Sequence, residues 1–111
     1  MTYLFNMTEK EKFESICDLT TNLVGLPKGS LALKCRKIKY QVPRMVAAMV
    51  ARLEDETHRG TIAKVLGRDR TSVNHYERCH SSNYASFPMY RETFIKVFMT
   101  PKKIQPASLI I

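Results

Sequence analysis

The sequence predicts an all-α protein, a compact helical bundle that contains a helix-turn-helix. Apolar residues recur at i, i+3 and i+4 in one segment after another, the spacing of buried helix faces. Between residues 60 and 82 two short periodic segments meet at Gly67, and the second opens with capping residues around Asp69 to Ser72. A chain of 111 residues can build one helical core without metals or disulfides. The expected organisation is a single domain over residues 1–99, followed by a tail over 100–111.

Each element has a local justification. Met1–Met7 is an apolar lead-in that packs loosely or lies along a neighbour. Thr8 stands three residues before Glu11, the spacing of a capping box, so a helix is expected to start there. Phe13, Ile16, Cys17, Thr20 and Val24 share one face of it, while Lys10, Lys12, Glu14 and Asp18 turn away. Gly25-Leu26-Pro27 closes this helix. Ser30 to Leu33 reads as one helical turn. The densest basic run of the chain follows, from Lys34 to Tyr40. It is either a solvated loop or a phosphate clamp whose arginine enters a minor groove.

Pro43 is expected as the first residue of a central helix, because proline fits where the backbone N–H has no helical partner. Val46, Met49, Val50 and Leu53 form its buried stripe, and Ala47, Ala48 and Ala51 admit close neighbours. Glu54-Asp55-Glu56 marks its solvated end. Ile62, Val65 and Leu66 then share the buried face of a short helix that Gly67 ends. Val73 and Tyr76, with Cys79 or His80, supply the inward face of its successor, which Ser81-Ser82-Asn83 is expected to break. Phe87, Tyr90, Phe94, Val97 and Phe98 form an aromatic stripe on a last helix from about Pro88. Their helical spacing favours core packing over base stacking. The tail from Thr100 is expected to be non-helical, with Leu109-Ile110-Ile111 docking on the domain or on a partner.

Charge points to the partner. The formal net charge is +8, and residues 28–80 alone carry +7, against −2 for 1–27 and +3 for 81–111. A basic middle around two helices that meet at a glycine turn is the footprint and the plan of a DNA reader. Other chemistries find little support. His75 and Cys79 stand at i, i+4 but lack the second ligand pair of a metal site, so neither a metal nor another cofactor is expected. No nucleophile–base pair or phosphate-cradling loop is visible, and the protein is expected not to be an enzyme. Three cysteines, no apolar run of membrane length and a start unlike an export signal predict free thiols, no membrane partner and a cytoplasmic location.

The stretch from about Phe13 to His80 resembles the C-terminal DNA-binding domain of the bacterial replication initiator DnaA. The block Gly67-Arg68-Asp69-Arg70-Thr71-Ser72-Val73-Asn74-His75 is similar to that family's Gly-Arg-Asp-His-Thr-Thr-Val-x-His signature. Upstream, Arg36 to Arg44 resembles the family's basic loop running into a Pro-Arg helix start. The resemblance implies a helix-turn-helix of the Trp-repressor-like kind that binds double-stranded DNA in replication initiation or its control. It implies Arg36 in a minor groove, and Asp69, Arg70, Thr71, Ser72 and His75 against the major groove or its phosphates. Lys37, Lys39, Arg44, Arg68 and Asn74 complete the expected contact set. The chemistry stands without the family: Asp69 suits a cytosine amino group, Arg70 forks to guanine O6 and N7, and Thr71 and Ser72 suit a thymine methyl or phosphates.

The departures carry weight too. Arg70 replaces a base-reading histidine, which implies a target other than the family's usual site. Asn74 replaces an apolar residue, and one glycine before the Arg-Asp pair is missing. Ile38 and Val42 stand where the family often has further arginines. The chain has no P-loop and no room for the family's ATPase module, so a small DNA-binding relative, such as a phage or mobile element carries, is the expectation. The alternative is a protein-interaction module that keeps the scaffold and binds DNA only non-specifically. Oligomeric state is open.

Overall fold

The computed structural model describes residues 7–100. Five helices make up the bundle: α1 (Glu9–Val24), α2 (Ile38–Asp55), α3 (Arg59–Leu66), α4 (Arg70–Ser86) and α5 (Pro88–Met99), with one 3-10 turn at Ser30–Ala32 between α1 and α2. No strand is present among the described residues. The lead-in before Met7 and the tail after Thr100 lie outside the described residues.

Helix α1 starts at the expected capping box. The Thr8 side chain accepts from Glu11 N at 3.1 Å, and Glu11 Oε1 accepts from Thr8 N at 2.9 Å. Phe13, Ile16 and Thr20 are buried on its inner face, joined by Thr21, whereas Cys17 and Val24 are only half-buried. Gly25 ends the helix with φ +78°.

Helix α2 is the centre of the molecule and packs against all four other helices. Every residue from Val42 to Ala51 is buried, so the helix is surrounded rather than faced on one side. Two expectations fail here. The helix begins at Ile38, not at Pro43, which therefore sits inside it. The carbonyl of Lys37 accepts from Tyr40 N and Gln41 N, each at 2.9 Å, so the helical ladder is closed before the proline is reached. Proline removes one donor in the second turn, and burial of Val42 in helical register offsets that loss. Leu53 is 54 % exposed and lines a surface groove with His80 and Tyr84 of α4 and Phe94 of α5.

Helix α4 also runs further than its sequence suggests. Ser81-Ser82-Asn83 continues the helix to Ser86 because His80 and Tyr84 pack on α5, with Phe94 4.9 Å from the His80 ring and 5.9 Å from the Tyr84 ring. Arg91 Nη1 then donates to the carbonyls of Tyr84 and Ala85 and closes the helix end. Helix α5 starts at Pro88 and buries Tyr90, Thr93, Phe94 and Val97, while Phe98 lies at the surface, stacked on Phe94.

Candidate nucleic-acid interface

Helices α3 and α4 meet at a joint of three residues. Gly67 adopts φ +67°, its N–H donates to Lys64 O, and Arg68 N donates to Ala63 O at 2.8 Å. A single glycine suffices for this turn, since neither Arg68 nor Asp69 has positive φ. Asp69 caps α4: its Oδ1 accepts from Ser72 N at 3.3 Å and from Ser72 Oγ at 3.4 Å. The relative placement of α2, α3 and α4 is held by Glu77, whose carboxylate accepts from Arg52 Nε, Arg59 Nε and Arg59 Nη2 between 2.7 and 3.1 Å. The Arg59 bonds, ahead of the effect of burial, hold the Glu77 carboxyl below its ordinary range.

The basic loop is drawn against this joint by two arginines. Arg44 was expected to touch DNA, but it is 2 % exposed and its donors are spent inside the protein. Its Nε donates to Leu31 O at 2.8 Å, and its Nη2 to Leu33 O at 2.9 Å and Cys35 O at 3.1 Å. Burial, then the nearby Arg68 cation, lowers the Arg44 pKa from its ordinary value. Arg68 donates from Nη2 to the same Leu33 carbonyl at 2.9 Å and from Nη1 to Leu66 O at 3.1 Å. The two guanidinium groups thus fix residues 31–35 beside the start of α4.

This fastening creates an open groove of about 990 Å³. Lys34, Arg36 and Gln41 line it from the loop and the α2 start, and Thr71, Ser72, His75, Tyr76 and Arg78 line it from α4. Arg44, Gly67, Arg68 and Asp69 complete the lining. Of the residues expected from sequence, Arg36, Asp69, Thr71, Ser72 and His75 are therefore brought together with Arg44 and Arg68. Lys37, Lys39, Arg70 and Asn74 are exposed but do not line the groove. Lys39 places its ammonium 5.2 Å from the centre of the Tyr40 ring.

Lys34 belongs to the basic run read as a solvated loop or a phosphate clamp, whereas Gln41 and Arg78 were not expected in the groove. The signal for Arg78 was available: it stands at i+7 from Thr71 and i+3 from His75, on one helix face. Two candidate ligands fare differently. The His75 ring nitrogen Nε2 lies 3.6 Å from Cys79 Sγ, and among the described residues no three metal-ligating groups cluster. His80 belongs to the core instead, with Nδ1 2.8 Å from the Tyr90 hydroxyl. Burial pushes the His80 pKa down and the Tyr90 pKa up.

No family model, curated protein or solved structure matches the chain. No helix among the described residues is long and apolar enough to cross a membrane.

Proposed function

We propose that α3 and α4 form a DNA-reading helix-turn-helix and that the protein is a sequence-specific binder of double-stranded DNA acting in replication initiation or its control. One observation carries this reading: the basic loop and the exposed start of α4 line a single groove, with Arg68 fastening the loop to the joint before α4 and Arg44 fastening it to α2. In this reading α4 enters the major groove and Arg36 follows the backbone or the adjacent minor groove. Lys37 and Lys39 add long-range attraction from outside the groove. Asp69 caps α4 through one carboxylate oxygen, which does not exclude a base contact, and Arg70 and Asn74, one turn apart on α4, read bases beside it.

Selection from random duplex DNA at physiological salt, followed by sequencing, tests this. Enrichment of a motif of several base pairs is the expected result. Binding that disappears with rising salt and enriches nothing would leave only the electrostatic term. The alternative, a protein-interaction module on the same scaffold, would then take its place.

A further inference from the structure

Two of the four arginines that line the groove are already committed. Arg44 and Arg68 serve backbone carbonyls, and Arg52 and Arg59 serve Glu77. Arg78 is different. It is exposed, lines the groove from α4, and forms no ion pair among the described residues. Lys34 is also exposed, lines the same groove from the loop, and has no ion pair there either. The one carboxylate in the lining, Asp69, is occupied by Ser72. Three uncommitted cations, Lys34 and Arg36 on the loop and Arg78 on α4, thus line one concave surface.

The dimensions suit an extended polyanion. Arg78 stands seven positions beyond Thr71 on α4, about 10 Å at the helical rise. That is roughly three base pairs of rise along the duplex axis. We propose that Arg78 and Lys34 each contact a backbone phosphate of the DNA duplex in this groove, Arg78 extending the backbone contact two turns beyond the start of α4. This rests on the DNA-binding reading and assigns these residues a positioning role, separate from base recognition.

The test is a salt titration of duplex affinity by fluorescence anisotropy, on the selected duplex and on a scrambled one. Arg78→Ala is expected to weaken both duplexes by a similar factor and to reduce the slope of log affinity against log salt by about 0.9. The wild-type advantage would then shrink about threefold between 50 and 200 mM salt. Lys34→Ala should act alike, and Arg78→Lys should restore most of the slope, because a phosphate accepts a point charge where a forked base contact would not. Far-UV circular dichroism of each variant controls for folding.

An unchanged slope in a folded Arg78→Ala protein would overturn the inference. So would a change in the selected motif, which would make Arg78 a base reader. If the wild-type protein binds no duplex, the proposed function itself fails. If wild type selects a motif and the variant slope is intact, only this inference fails.

Discussion

Arg44 and Arg70 carry the same side chain and receive opposite roles from their surroundings. Arg44 gives three donors to carbonyls on a segment with no regular ladder of its own, so its replacement leaves polar backbone groups exposed to a poor environment. Arg44→Met keeps the apolar stem and removes the fork. We expect a loss of about 2–4 kcal/mol in urea unfolding. A loss below a few tenths would mean that the 31–35 segment holds its shape unaided. Arg70 is exposed on the first turn of α4, and nothing in the fold needs it. Arg70→Ala should therefore leave the unfolding midpoint within experimental error and relax the preference at one guanine position in the selected motif. Retention of both affinity and preference would remove Arg70 from the base-reading set.

At the scale of elements, the α3–α4 joint and the helix before it contain two glycines with opposite expected behaviour. Gly67 sits at φ +67°, where a Cβ costs roughly 1 kcal/mol, so Gly67→Ala should destabilise by about that amount. Gly60 lies inside α3 with no atom within 4 Å of where a Cβ would stand, so Gly60→Ala should stabilise by about 0.5 kcal/mol through a less flexible unfolded chain. Thermal melts of the two variants should move in opposite directions; shifts of the same sign would contradict the assigned turn geometry. The same contrast explains what was readable in advance. The Thr8 capping box, the Gly67 stop, the Asp69 cap and the Pro88 start are local devices, and each is decided by a few adjacent residues. Pro43 looked like a local start and Ser81-Ser82-Asn83 like a local stop, but burial of Val42 and packing of His80 and Tyr84 overrode them. Exposure of Leu53 and burial of Arg44 depend on which distant segments arrive at α2, information that periodicity does not carry. Within the groove, the α4 face was readable from helical spacing, whereas its meeting with Lys34 and Gln41 was not.

The whole molecule ties its first helix to α3 through a carboxylate. Glu9 Oε2 accepts from the His58 ring Nδ1 at 2.9 Å and from His58 N at 2.8 Å, and Glu9 Oε1 accepts from Thr61 Oγ1 at 2.9 Å. His58 precedes α3 without any side-chain cap of its own, so a residue 49 positions away supplies the negative group that this helix start favours. The bonds from the His58 side chain, then from its backbone N–H, lower the Glu9 pKa from 4.5 to about 2. A carboxyl with a depressed folded-state pKa favours the native state when ionised. Its contribution is complete above the ordinary value near 4.5 and is lost as pH falls through about 2. Both partners are substantially exposed, so water screens the pair and the contribution should stay below about 1 kcal/mol. Glu9→Gln removes the titrating group while keeping the shape. Urea midpoints taken between pH 7 and pH 2 should show the wild type ahead at neutral pH. The two curves should converge between about pH 5 and pH 2, because protonation turns the wild-type side chain into a neutral one as well. A gap that persists undiminished at pH 2 would show that Glu9 acts through packing and not through its charge at the start of α3.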